Sequence, residues 1–527
     1  DFINDILENF LYGEPLVSVV FDYEYTKTTV PSITAEEISD FLRSMMKTEN
    51  SVIVVQGQEQ QGIKHISEEE AKAIIAKVSS SDIQAYQDNM ITESLVDGEI
   101  KGSPVIKTKY LRQFDALEWT LGNGARVVYK KTGYEKDNVL LTAYSLGGTS
   151  LYELPCLPSA TMLPSVIPAY GLGKFDNVTL QKVLAGKNVT LSISLGQITE
   201  SINGSSSPKD FETMMQLLYL RFVNPRFDSA AHNAIMSRYS AFLASMAKEP
   251  SKIMQDSMSL FLADYNPRAL ILNNSMLEKV NFGMIEKVYK ERFANAADFT
   301  FFIVGNIDEA EAKSLSVKYI GSLPSSPARE SFIDRNIRPP EGKFIRDIRI
   351  PLTVPKATIF ISHSTEFQYT PYNNVCLKVI DGILDLVFTE KIREEAGGTY
   401  GVSVSLTSQL YPYQNAAGLI MFDCDPEKAD TLKKVVYDEI DRLIKYGPTE
   451  DNLQKAVSNM LKIREEAKQH NNYWSNLLYS YYYSGVDVND PVNFDRILKK
   501  LTVKDIRKAA NSFFGKADIV DVVFRPE

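Results

Sequence analysis

Arg393 and Tyr400 stand seven positions apart in the stretch Lys391-Ile-Arg-Glu-Glu-Ala-Gly-Gly-Thr-Tyr-Gly-Val-Ser-Val-Ser-Leu406. A guanidinium offers a planar fork of N–H donors and a phenol offers one O–H, so two such groups brought together suit a carbonyl or carboxylate oxygen. The same spacing has a plainer reading, in which Arg393 offsets the dipole of a helix C-terminus and Tyr400 packs on a sheet rim. Spacing alone leaves both open.

The elements that must position the pair can be read on either side of it. Cys376, Val379, Ile380, Ile383, Leu384 and Val387 recur with helical spacing and predict a helix leading into Arg393. Gly397 and Gly398 supply the left-handed residues that end such a helix. Beyond them Tyr400, Val402, Val404 and Leu406 alternate with Gly401, Ser403 and Ser405, the pattern of a half-buried strand. Arg393 is thus expected in the last helical turn and Tyr400 at the first strand position, converging beyond a tight corner.

That corner has a sister. Ala185-Gly-Lys-Asn-Val-Thr-Leu-Ser-Ile-Ser-Leu195 aligns without a gap on Ala396–Leu406 at a constant offset of 211 residues. In this register Lys182 takes the place of Arg393 and Val189 that of Tyr400, so the scaffold itself requires neither Arg nor Tyr. A helix-then-strand unit also recurs, at Ile33-Thr-Ala-Glu-Glu-Ile38 with Ser51-Val-Ile-Val-Val-Gln56, at Val280 with residues 299–304, and at Leu501 with residues 519–524. Three endings at intervals of 247 and 221 residues imply three modules. The expected division is residues 1–66 as the end of a first module, 67–116 as a helical and extended linker, and 117–322 and 343–527 as two full modules. Asn123-Gly124 marks a hairpin opening the second, and Ser67 with Glu70 forms a capping box in the linker. The fold class is α+β, built from repeated two-layer modules of antiparallel sheet packed with helices.

Other side chains offer less. The four histidines, His65, His232, His363 and His470, include no pair three or four residues apart, so no paired imidazole site for zinc can be built. His363-Ser-Thr-Glu366-Phe367 comes nearest, and a lone imidazole there reads as a polar residue at a strand end. Cys156, Cys376 and Cys424 are odd in number and far apart, which gives neither a disulfide framework nor a metal knuckle. Tyr473, Trp474, Tyr479, Tyr481, Tyr482 and Tyr483 have the spacing of core or interdomain packing. Gly171-Leu-Gly173 lacks the strand and the Lys-Ser/Thr of a phosphate loop. The formal net charge of −10 over 527 residues disfavours nucleic acid as a partner, and no apolar run is long enough to span a membrane. The chain opens at Asp1, as expected of a processed or excised product, and the compartment reads as bacterial periplasm or cytoplasm.

With the repeats in place, Arg393-Glu-Glu-Ala-Gly-Gly-Thr-Tyr400-Gly-Val resembles the Arg-(six residues)-Tyr element of the pitrilysin or insulinase-like zinc metallopeptidases, the inverzincins. Leu121-Gly-Asn-Gly-Ala-Arg-Val-Val128 is similar to the strand that opens such domains. The resemblance covers the whole chain and implies a metallohydrolase-like pitrilysin-type fold and the C-terminal half of an endopeptidase. It further implies zinc bound by a missing N-terminal half, peptide substrates in a closed chamber, and Arg393 and Tyr400 as substrate- and oxyanion-contacting residues. This chain departs from the family in lacking His-x-x-Glu-His, and at the corresponding place in the second module stands Ala160-Thr-Met-Leu-Pro164. On this reading the chain alone is inactive. The alternative is a non-catalytic scaffold or core subunit of a larger complex.

Overall fold

Thr34 and Ser67 each begin a helix by accepting the N–H three residues on, while Glu37 and Glu70 accept the N–H of the cap, so both capping boxes close. The computed structural model describes residues 2–46, 51–55, 64–83, 93–352, 354–395, 399, 401–485 and 491–527. It divides into two compact units, Asp1–Asn89 and Met90–Glu527. The first carries α1 (Phe2–Tyr12), α2 (Val19–Thr29), α3 (Ala35–Met45) and α4 (Glu68–Ser79). Residues 51–55, expected as a strand, are exposed and form no ladder, and Gln56 lies outside the described residues. An apolar run becomes a strand only where another strand takes up its N–H and C=O groups, and the described residues of the first unit include no strand.

The second unit holds two sheets. β1 (Val105–Leu111), β2 (Ala116–Leu121), β3 (Arg126–Lys131), β4 (Val139–Leu146), α5 (Leu157–Val166), α6 (Asn177–Val183), β5 (Val189–Leu195) and β6 (Thr199–Ser206) come first. They are followed by α7 (Phe211–Val223), α8 (Ser229–Met246), α9 (Pro250–Phe261), α10 (Asn274–Leu277), α11 (Phe282–Arg292), β7 (Thr300–Gly305) and α12 (Glu309–Leu315). Their sheet has the order β1-β2-β3-β7-β4-β6-β5. Next come β8 (Lys343–Ile350), β9 (Ala357–Glu366), α13 (Pro371–Phe388), β10 (Val402–Gln409), β11 (Asn415–Cys424), α14 (Ala429–Tyr446), α15 (Glu450–Ala467), α16 (Asn471–Ser484), α17 (Pro491–Leu498), α18 (Val503–Phe514) and β12 (Asp518–Pro526). This sheet runs β10-β11-β9-β12-β8. Five strands therefore correspond in order, and each sheet has a single parallel pair at the same place, β3 with β7 and β8 with β12.

β1 corrects the expected linker, since it falls inside residues 67–116 yet pairs along its length with β2. Its residues from Ile106 to Tyr110 are all exposed. A strand wetted on both faces at a sheet edge has no reason to alternate, so its sequence reads as connector. The hairpin at Asn123-Gly124 forms as expected, with Gly124 at φ +83° and its N–H donating to the Leu121 carbonyl at 2.8 Å.

Each sheet buries one face under its own helices. Val127, Leu141, Phe301 and Ile303 belong to the first core, Ile359, Ile361, Ile420 and Val523 to the second. The opposite faces are covered by exchange. α16, third helix after β11, lays Leu477 and Leu478 on Val128, Phe302 and Val304 of the seven-stranded sheet. α9, third helix after β6, lays Met258 and Phe261 on Val520, Val522 and Phe524 of the five-stranded one. The tyrosines of α16 are thus interdomain packing, with Phe114, Tyr144 and Phe302 as their ring partners.

Candidate functional site

α13 buries Val379, Ile380, Ile383, Leu384, Val387 and Phe388 against its sheet, which fixes the direction in which the helix delivers Arg393. The end differs from the regular last turn expected. Thr389–Glu395 continues as a π-helix in which Ile392 stays fully buried while Arg393 is exposed. The wider turn thus keeps the core contact and turns the guanidinium outward. Tyr400, with residues 396–398, lies outside the described residues. Thr399 is described, its hydroxyl bonding the Gly401 carbonyl at 3.0 Å just before β10.

Two side chains of α13 tie β10 to the helix. The Asp381 carboxylate accepts the Leu406 N–H at 2.7 Å, and Ser408 Oγ donates to Asn374 Oδ1. Burial raises the Asp381 pKa, a shift opposed by the Leu406 hydrogen bond and reinforced by Asp385. The strand after the corner is therefore held to the helix before it by polar bonds as well as by packing of Leu406.

The sister corner is described throughout. Lys182 sits in the last turn of α6 and Val189 opens β5. Gly186 turns the chain between them at φ +76°, with open space where a Cβ would be. Val189 is half-buried and packs against the core there.

The histidines do not converge. His363 lies within β9 on the core face, 2 % exposed, its ring edge-on to Phe514 at 5.0 Å. Nδ1 has no hydrogen-bond partner among the described residues, and burial pushes the imidazole down to about 4, so it is neutral. It is a core residue rather than a strand-end one. His232 meets the Tyr170 hydroxyl at 2.7 Å, His470 meets Glu135 at 3.1 Å, and His65 is exposed in the first unit. Among the described residues no three His, Cys, Asp or Glu side chains cluster to hold a metal. Ala160–Pro164 lies in α5, a helix buried along most of its length.

One titratable group escaped the sequence. Glu200 is 1 % exposed, accepts the Gly148 N–H at 2.8 Å and the Ser145 hydroxyl, and lies 4.0 Å from Arg292. Burial raises it to about 7, against the pull of those bonds. Arg292 is itself bidentate to Glu330 of the connector between the modules, at 2.7 and 3.1 Å. The signal was Gly147-Gly148 after β4, both at positive φ, with no room for a Cβ at Gly148 beside Gly196 and Ile198.

Comparison with known proteins places this architecture. Residues 279–460 match the family model described as the peptidase M16 inactive domain. The Arabidopsis thaliana protein named zinc protease PQQL-like is 22 % identical over 510 residues, 92 % of this chain and 50 % of that protein. The crystal structure of the periplasmic protease PqqL from Escherichia coli matches 100 % of the chain and 58 % of its own, with TM-score 0.72 at 18 % identity. The solved peptidase M16 inactive domain from Pseudomonas fluorescens covers 78 % of this chain and 98 % of its own, with TM-score 0.65 at 17 % identity. The chain carries the M16 peptidases' inactive domain and is homologous to zinc proteases of the PqqL type. It spans about half the length of the curated relatives it matches.

Proposed function

We propose that this chain is the C-terminal half of a zinc-dependent endopeptidase that degrades peptides in a closed chamber. What supports the reading is the alignment with a zinc protease over 92 % of this chain but 50 % of that protein, together with a sequence whose four histidines include no pair three or four residues apart. Metal and general base then belong to an N-terminal half, in the same gene or a partner chain, and this half supplies the substrate-contacting wall. Tyr400 donates its hydroxyl proton to the oxyanion developing on the scissile carbonyl, and Arg393 holds the neighbouring peptide carbonyl. Residues 117–322 and 343–527 act as two copies of one module, of which the second carries the pair. The periplasm, where the E. coli protease is placed by name, is the proposed compartment.

The scaffold reading makes no use of Arg393 or Tyr400, so kinetics of the enzyme reconstituted with its N-terminal half separates the two. Tyr400→Phe should lower kcat roughly 10²-fold with little change in KM, the scale of one lost oxyanion donor. Arg393→Ala should raise KM as well, because its contact exists in ground and transition states alike. Wild-type rates in both variants, with normal melts, would leave the pair as a helix cap and a rim residue.

A further inference from the structure

Among the described residues α16 reaches as far as β4, where it covers Tyr144, and leaves the outer face of β6 and β5 open beside it, with Asn203, Thr190, Ser192 and Ser194 exposed. The ladder of β4, β6 and β5 puts side chains in rows. Thr142, Asn203 and Ser192 stand side by side across the three strands. Ser201 and Ser194 form the row on one side, Leu140, Ser205 and Thr190 that on the other. α16 makes the facing wall, with the Ser475 hydroxyl 3.3 Å from that of Thr142. Between wall and floor runs a groove of about 340 Å³ lined by Leu140, Thr142, Asn203, Asn472, Asn476 and Tyr479 among others.

No lining residue of this groove is charged, although 24 % of the chain is. Asn472 and Asn476 are exposed and also line a second groove of about 470 Å³ on the other side of α16. The side-chain amides of Asn203, Asn472 and Asn476 make no hydrogen bond among the described residues. A primary amide both donates and accepts, as a peptide group does. Four helical residues rise about 6 Å and two strand residues about 6.8 Å. The amides on α16 and the rows on β6 therefore repeat at nearly the two-residue step of an extended polypeptide.

We propose that this trough binds an extended polypeptide by its main chain, with Asn472, Asn476 and Asn203 pairing alternate peptide groups and no selection of side chains. The trough has no cationic lining for phosphate or acidic ligands. The ring of Tyr479 is already stacked by Tyr483 at 5.6 Å and met by Tyr144 at 4.7 Å, which leaves no open platform for a sugar. The proposal deepens the peptidase reading and rests on it for the source of polypeptide.

The test needs no catalysis. A fluorescent, uncharged, unstructured 15-residue peptide is titrated into the full chain, followed by anisotropy. A scrambled version should bind within about twofold, and a version N-methylated at alternate amides should bind at least tenfold more weakly. Asn472→Ala with Asn476→Ala should weaken the parent peptide roughly tenfold, the scale of one to two net hydrogen bonds, with an unchanged melt. Asn472→Gln with Asn476→Gln should restore most of it. Equal binding of the N-methylated peptide, indifference to the alanine pair, or displacement by maltohexaose would overturn the proposal. If the peptide binds as described but the reconstituted enzyme cleaves nothing, the peptidase reading falls and the trough stands.

Discussion

Two corners of one molecule, built on the same order of strands, carry Lys182 and Val189 in one copy and Arg393 and Tyr400 in the other. The first is closed by packing, with Val189 half-buried against the core. The second is tied by the carboxylate of Asp381 and the amide of Asn374 to β10, with Arg393 turned to solvent by a π-helical turn. A scaffold that works with Lys and Val has no structural need of an exposed Arg at the same register. On the proposed function, the difference is what a site grafted onto a repeated fold leaves behind.

The modules also depend on each other. Because α16 and α9 cover the sheet of the opposite module, neither outer face is complete alone. Leu478→Ala on α16, fully buried at the exchange, should cost about 3 kcal/mol. Met258→Ala on α9, 6 % exposed, should cost a similar amount. Both should shift one shared melting transition in calorimetry. Two transitions, each moved by one variant, would show that the modules fold independently and break the comparison.

A second contrast is electrostatic, and the signs are opposite. Glu200 rises from its ordinary 4.5 to about 7. The folded state then binds more protons than the unfolded between those values, and stability falls as pH rises through them. His363 drops from 6.5 to about 4. The unfolded state binds the extra proton there, and stability rises with pH across that window. Each slope amounts to at most roughly 3 kcal/mol, and the two oppose each other between pH 4.5 and 6.5. Glu200→Gln should leave a Tm that climbs from pH 4.5 to 6.5, and His363→Phe one that falls from pH 4.5 to 7. Parallel Tm curves for both variants would refute the assignment.

The smallest effect expected is at the sister corner. Lys182→Ala should leave kcat and KM of the reconstituted enzyme within about twofold of wild type, beside the roughly 10²-fold loss in Tyr400→Phe. Equal losses at both corners would erase the asymmetry on which the proposed site rests.

Much of this fold could be read from local pattern. The capping box at Ser67, the turn at Gly124 and the apolar stripe from Cys376 to Val387 each act within a few residues, so their structure follows from their spacing. The aligned corners disclosed the repeat for the same reason. The failures are long-range or wetted. β1 is exposed on both faces and carries no alternation. Residues 51–55 have the pattern of a strand, and no strand is found among the described residues of their unit. The tyrosines of α16 announced packing, but Phe114, Tyr144 and Phe302, on which they pack, lie more than 150 residues away in the other module. Glu200 was signalled only indirectly, by Gly147-Gly148, because what raises its pKa is burial by segments distant in sequence.

The most direct measurement of the central claim is peptidase activity after mixing. The 527-residue chain, dialysed and assayed alone, should neither hold stoichiometric zinc nor cleave an unstructured peptide. Combined with an N-terminal half carrying His-x-x-Glu-His, it should give chelator-sensitive cleavage that neither half shows by itself. Stoichiometric zinc or cleavage in this chain alone would contradict the account, as would an N-terminal half whose full activity is unchanged by adding it.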